Sequence, residues 1–219
     1  MENKRILHID ALQDTLVREQ YEAFAKLMAY YRCAMMEIET KLNVLNQEFS
    51  LRYDRNPISN IKSRLKSPAS IREKLTRRGI DVTVENIEAC LNDVAGVRVI
   101  CAFPEDVHTI AKALLGQDDV ELIERKDYIL NPKENGYRSL HLIVAVPIYL
   151  ANEKRRMRVE IQLRTIAMDF WASLEHQLRY KKDVVFTDEM AKELKFCADL
   201  SAELDRRMDH LRESVQEGK

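Results

Sequence analysis

The sequence predicts an α/β protein of the α+β kind: a mixed sheet of about five strands, surrounded by helices, with a long helix at each terminus. Three observations carry this. Apolar residues step by three and four through the first third of the chain and again through the last thirty or so residues, which is helical spacing. Between those ends, stretches that alternate with period two take turns with stretches of helical period. Gly and Pro number only five each, which leaves little room for long disordered linkers.

The elements follow in order. Phe24, Leu27, Tyr31, Met35, Ile38, Leu42, Leu45 and Phe49 share one helical face, read as a packing face without chemistry. Arg52 to Pro57 is polar, ends in proline and connects. From Asn60 to Lys66, Ile61, Ser63 and Leu65 alternate with Lys62, Arg64 and Lys66, so a strand here sets three cations on one face. Ser67 is an N-cap with Pro68 at the first helical position, and the helix carries Arg72, Lys74, Arg77 and Arg78 before stopping at Gly79. A short helix from Val84 to Leu91 follows Thr83. Asp93 then opens a loop that feeds a buried strand through Phe103, with Arg98 inside its apolar run.

Pro104 to Leu115 reads as a helix closed by Gly116, and Val120 to Ile129 as a strand. Asn131 to Gly136 has loop composition, and Arg138 to Leu150 is a strand rich in Leu, Ile and Val. Met157, Val159, Ile161 and Leu163 alternate with Arg158, Glu160, Gln162 and Arg164, giving a strand with one buried and one charged face. Thr165 caps a helix running to about Lys181, with Ile166, Phe170, Leu174 and Leu178 as its apolar side. The last helix carries Met190, Leu194, Cys197, Ser201, Leu204, Met208, Leu211 and Val215 as a heptad seam. At 1.5 Å per residue it is roughly 40 Å long, too long to bury its seam on a domain of this size. It is expected to pack both on the first helix and on another copy of the chain, which makes the protein a homo-oligomer.

Bulk properties exclude some classes. A chain of 219 residues suits one domain with helical extensions or two small domains. Its 35 basic and 36 acidic residues give a net charge of -1, which argues against a wrap around duplex DNA, so any anion site must be local. The four cysteines (Cys33, Cys90, Cys101 and Cys197) form no Cys-x-x-Cys pair, and Cys101 reads as a buried reduced thiol. No signal peptide opens the chain, and no stretch approaches the ~20 apolar residues of a membrane span, so a cytoplasmic protein is expected.

Charge is concentrated locally. From Asn60 to Arg78 there are seven basic residues and one acid, Glu73, a net of +6 on a strand and the helix after it. Such a run is either a solvated face or a phosphate site. Asp93 and Glu160 lie on or beside central strands, where a carboxylate is costly unless compensated. Mg²⁺, which takes one or two carboxylates plus substrate phosphates, is one partner; salt bridges to Arg98, Arg158 or Arg164 are the other. Gly136-Tyr-Arg-Ser-Leu-His places Tyr137 at the sheet edge, either to stack on a base or to fill the core, with Ser139 and His141 on its strand face. No Gly-x-x-x-x-Gly-Lys-Ser/Thr loop, Gly-x-Gly-x-x-Gly or Gly-x-Ser-x-Gly elbow is present. A nucleotide site would therefore be built from side chains on a sheet of nucleotidyltransferase-like type.

Four stretches, in order, resemble the (p)ppGpp synthetase domain of the RelA/SpoT family: Arg64-Leu-Lys-Ser-Pro-Ala-Ser-Ile-Arg-Glu-Lys, Asp93-Val-Ala-Gly-Val-Arg, the run from Lys126 to His141, and Val159-Glu-Ile-Gln-Leu-Arg-Thr. Together they span about residues 58 to 182. The His-Asp dipeptide of the family's hydrolase domain is absent, so the chain resembles the stand-alone small alarmone synthetases, including their long terminal helices. Domains are expected at 1–57 (helical region), 58–182 (catalytic domain) and 183–219 (oligomerisation helix).

The resemblance implies roles. Arg64 and Arg98 would sandwich the adenine of ATP, and Lys66, Ser70, Lys74 and Arg77 would hold its phosphates. Asp93 and Glu160 would bind Mg²⁺, with Glu160 also the base at the ribose 3′-hydroxyl. Tyr137 would stack on guanine, while Lys126, Lys133, His141 and Gln162 would grip the ribose and phosphates of GDP or GTP. The implied reaction moves pyrophosphate from ATP to that ribose. The implied assembly is a homotetramer, with a nucleotide or RNA regulator among the partners it leaves room for. Glu124-Arg-Lys-Asp mixes the Arg-x-Lys-Asp and Glu-x-Asp-Asp elements that resemble an acceptor switch, so GDP and GTP both stand. Two other readings compete: a template-independent nucleotidyltransferase on RNA, which needs a wider basic surface, and a catalytically silent guanine-nucleotide or RNA-binding regulator.

Overall fold

The turn and cap residues of the sequence fall at element boundaries in the computed structural model, which describes residues 2–53, 55–179 and 186–217. In chain order the elements are α1 (Glu2–Tyr53), β1 (Ile58–Leu65), α2 (Pro68–Arg77), α3 (Val84–Cys90), β2 (Ala95–Cys101), α4 (Pro104–Leu115), β3 (Glu121–Asp127), β4 (Leu140–Tyr149), β5 (Lys154–Thr165), α5 (Ile166–Arg179) and α6 (Asp188–Glu217). Ser67 accepts a hydrogen bond from the Ser70 backbone N–H, Thr83 from that of Asn86, and Thr165 from that of Met168. Each supplies an acceptor that the first helical turn lacks. The expected end of α5 near Lys181 and the domain boundary at 182 lie outside the described residues.

The strands form one mixed sheet in the order β1-β2-β5-β4-β3. Only β2 and β5 run parallel; β1–β2, β5–β4 and β4–β3 are antiparallel. Period two then divides the central strands. Val97 and Val99 of β2, Val159, Ile161 and Leu163 of β5, and Leu140, Leu142 and Val144 of β4 are at most 1 % exposed and share one core with α1 and α4. From α1 come Leu27, Tyr31, Ile38, Leu42 and Leu45, on the face predicted from their spacing; Ile110 and Leu114 come from α4. The long helix thus roofs one side of the sheet and leaves the residues between those core positions on the other side.

Two helical expectations are corrected. Ile166, Phe170, Leu174 and Leu178 do not face the body of the chain: they are 41–66 % exposed, and α5 buries Met168, Trp171 and Ala172 instead. The seam of α6 also turns outward, with Leu204, Met208, Leu211 and Val215 about half exposed or more. The buried side of α6 is Ala198, Ala202 and Asp205, packed on α5 and α4 rather than along α1. The reason is room. A Cβ added at Gly136, in the loop before β4, would lie 2.5 Å from the Ala198 Cβ, so only small side chains fit where α6 meets that loop.

Truncating α1 tests the roof. Leu42→Ala removes a fully buried side chain and is expected to cost about 2–5 kcal/mol in chemical denaturation. Val44→Ala, exposed on the same helix, is expected to stay within about 0.5 kcal/mol of the parent.

Candidate active site

Register, more than sequence proximity, assembles the polar face. Lys62 pairs with Arg98, Arg98 with Gln162, Gln162 with His141, and His141 with Lys126, so one straight row crosses all five strands. Directly opposed residues share a face, and so do residues two apart. The next row on this face is therefore Arg64, Gly96 and Glu160. With Lys66 and Asp93 these residues line a cavity of about 250 Å³. Gly96 contributes backbone only and keeps its floor low.

The two carboxylates have different partners. Asp93 Oδ2 accepts hydrogen bonds from Lys74 Nζ at 2.7 Å and Lys66 Nζ at 3.0 Å, while buried Oδ1 has no partner among the described residues. Burial works to raise this carboxyl, but the hydrogen bonds from Lys74 and Lys66 outweigh it and hold it below the ordinary carboxylate range. Glu160 Oε2 accepts from Gln162 Nε2 at 3.1 Å, and Oε1 lies 3.6 Å from His141 Nδ1. Burial and the charge of Asp93 push Glu160 up; His141 and Gln162 bring it below its usual value, so both acids are ionised at neutral pH.

The arginines offered by the sequence as salt-bridge partners for these acids go elsewhere. Arg158 donates to Asn92 Oδ1 and the Ala89 carbonyl. Arg98 and Arg164 both reach Asp169 Oδ1, each at 3.2 Å. Burial and the neighbouring Arg164 lower the affinity of Arg98 for its proton, and Asp169 works against them.

The loop between β3 and β4 supplies the other end of the cleft. Tyr137 is half-buried; its hydroxyl accepts from Arg164 Nη2 at 2.6 Å and lies 2.8 Å from His141 Nε2. Tyr128, Tyr137 and His141 meet edge to face, and the Lys133 ammonium sits 4.9 Å from the Tyr137 ring centre. The loop is tied to α6: Gly136 takes a positive φ of 86° against Ala198, and Arg138 donates to the Gly136 and Ala198 carbonyls. Ser139 is fully buried and donates to the Leu163 carbonyl, so its hydroxyl is committed within the framework rather than open to the cleft.

Residues 63–184 match the family described as "Region found in RelA / SpoT proteins". The chain belongs to the RelA/SpoT family. GTP pyrophosphokinase YwaC of Bacillus subtilis (strain 168) is 39 % identical over 210 residues, 96 % of this chain and 98 % of that protein. The crystal structure of small alarmone synthetase 2 from Bacillus subtilis superposes with a TM-score of 0.79 at 39 % identity, covering 87 % of this chain and 98 % of that one. Small alarmone synthetase 1 from the same organism, solved bound to its product pppGpp, gives 0.80 at 34 % identity, covering 88 % and 98 %.

Within this RelA/SpoT fold, the sequence-predicted residues fall into three groups. Lys66, Lys74, Asp93, Arg98, Glu160, Gln162, His141 and Tyr137 are joined by contacts or by the cavity wall. Arg64 lines the cavity from exposed β1, and Ser70 sits in the first turn of α2 with its hydroxyl 3.0 Å from Ser67 Oγ. Arg77 is exposed at the last turn of α2, and Lys126 is held by Glu124 at 2.9 Å. Asp169, Arg164 and Tyr128 join the network without having been singled out as site residues. The one available signal was an acid four residues after the capping Thr165, which the helix turns back toward β5.

Gly136→Ala tests the tie between loop and helix. A left-handed φ and a 2.5 Å clash together are expected to cost about 2–3 kcal/mol in a thermal or denaturant melt. Adding Ala198→Gly removes the clash but not the backbone strain, and it puts a glycine inside α6 at a cost of about 1 kcal/mol, so little net stability is expected to return.

Proposed function

We propose that the protein is a pyrophosphokinase that transfers the β,γ-pyrophosphate of ATP to the ribose 3′-hydroxyl of GDP or GTP, making (p)ppGpp and releasing AMP. The observation that carries this is the pair of ionised carboxylates facing a comb of cations in one cleft, in a chain of this family. Transfer of a phosphoryl group is mostly positioning and charge neutralisation, and that is what such a cleft offers.

On the donor side, Arg64 and Arg98 hold the adenine between guanidinium planes. Lys66, Ser70, Lys74 and Arg77 take the phosphates; the two lysines that rest on Asp93 have only to swing from a carboxylate to a phosphate. On the acceptor side Tyr137 stacks on guanine, and Lys126, Lys133, His141 and Gln162 bind ribose and phosphates. The acceptor oxygen attacks the β-phosphorus, its bond to the α,β-bridging oxygen breaks, and AMP departs. Glu160 takes the proton of the attacking hydroxyl.

The acids also suit Mg²⁺. Asp93 Oδ1 is a buried oxygen without a partner among the described residues, Glu160 is ionised on the same cavity wall, and hard carboxylate oxygens completed by substrate phosphates are what this ion prefers. When bound it would supply neutralisation of the charge that builds on the phosphates.

We also assign the outward seams of α5 and α6 to a homotetramer interface. Ile166, Phe170, Leu204, Met208, Leu211 and Val215 are an apolar surface that a lone chain leaves wet.

Two measurements check these assignments. With γ-labelled ATP and Mg²⁺, label is expected to move onto GDP or GTP while AMP appears on thin-layer chromatography. Asp93→Ala or Glu160→Ala should lower that rate by about 10³-fold or more with the melt near the parent's; turnover at the parent rate would refute the roles. Light scattering should report a multiple of 25.6 kDa. Leu204→Lys with Met208→Lys should shift it toward the monomer, and a parent protein already monomeric would refute the interface.

A further inference from the structure

Asp169 stands outside the cavity wall yet touches both halves of the site. It opens the first turn of α5, is 9 % exposed, and is met by three cations from three different strands. Arg98 Nη1 of β2 and Arg164 Nη1 of β5 share its Oδ1 at 3.2 Å each, and Lys62 Nζ of β1 lies 3.9 Å from Oδ2. The helix N-terminus makes a carboxylate favourable there, which explains how an acid is accommodated in so dry a place.

Each arginine leads elsewhere. Arg98 faces the cavity beside Arg64, on the side assigned to ATP. Arg164, almost fully buried, uses its other nitrogen to donate to the Tyr137 hydroxyl at 2.6 Å and to Gln162 Oε1 at 2.9 Å. Tyr137 reaches His141 in turn, and Gln162 reaches Glu160. One carboxylate therefore sets the pose of a guanidinium on the donor side and, through Arg164, of the aromatic ring on the acceptor side. Without its charge, two guanidiniums on adjacent strands repel across a buried gap, and neither keeps its plane.

We propose that Asp169 is a positioning residue that couples the seating of the two nucleotides by holding Arg98 and Arg164 at once. This rests on the pyrophosphokinase reading for which nucleotide sits on which side. It adds that donor and acceptor affinity share one electrostatic support.

The test is Asp169→Asn, which keeps shape and removes charge, on the full chain. Binding of α,β-methylene ATP and of GDP is read by calorimetry, beside KM and kcat. Both dissociation constants and both KM values are expected to rise about tenfold, with kcat changed by less than about threefold. In an Arg98→Met background the same substitution should no longer weaken ATP binding but should still weaken GDP binding. Parent-like binding of either nucleotide by Asp169→Asn, or a lower melting temperature alone, would overturn the proposal. Should Asp169→Asn fail to fold, Asp169→Glu keeps the charge and moves it by one methylene. It is expected to raise both constants by about threefold, and parent values would overturn the proposal equally. Protein that binds both nucleotides but transfers no pyrophosphate would overturn the assigned activity, while the binding comparison would still decide Asp169.

Discussion

The parallel pairing of β2 with β5 is the constraint on which the site depends. It sets Arg98 beside Gln162 and Gly96 beside Glu160, although the residues of each pair lie more than sixty positions apart in the chain. Arg98, Gly96, Glu160 and Gln162 inherit their neighbours across the centre of the cleft from that register. A slip of one residue would turn the polar row into the core and lift Val97, Val99, Ile161 and Leu163 into solvent. Burial of those apolar positions under α1 and α4 is thus what specifies the chemistry on the opposite face. Core and cleft are two readings of one alternating pattern.

Electrostatics then sorts the face. The chain as a whole is close to neutral, but α2 and the link that follows β1 bring lysines onto Asp93, and α5 brings Asp169 under two arginines. Buried charge is tolerated here because each carboxylate has cations within hydrogen-bonding or ion-pair distance. The cations on Asp93 line the open cleft and can be taken over by an incoming anion. On Asp169, Arg164 stays in the protein's own framework while Arg98 is held at the cavity wall. The same pairing chemistry serves exchange in one place and fixity in the other.

Much of this was legible beforehand, for physical reasons. Alternation identified β5 and put Glu160 and Gln162 together on its charged face; Ser67-Pro68 marked the start of α2 with its lysine. What periodicity cannot give is direction or long-range pairing. A period of 3.6 tells that Ile166, Phe170, Leu174 and Leu178 share a face, but not that Met168 and Trp171 are the ones turned inward. The inward side of α6 was hidden because Ala198 and Ala202 are a weak apolar signal beside Leu204 and Met208. Asp169 was missed because the cations that meet it come from β1, β2 and β5, and only the folded register brings them to one carboxylate.

The seam between the β3–β4 loop and α6 has a further consequence. Gly136 and Ala198 approach so closely that neither can enlarge without the other yielding, and Arg138 binds the carbonyl of that same Ala198. Tyr137 stands between these two fixed residues. The loop is thus not a portable cassette. Grafted onto another sheet, it would arrive without the surface that shapes it. An engineer would have to move the small-residue stripe of a distant helix along with it, and two segments some sixty residues apart would change hands as one part.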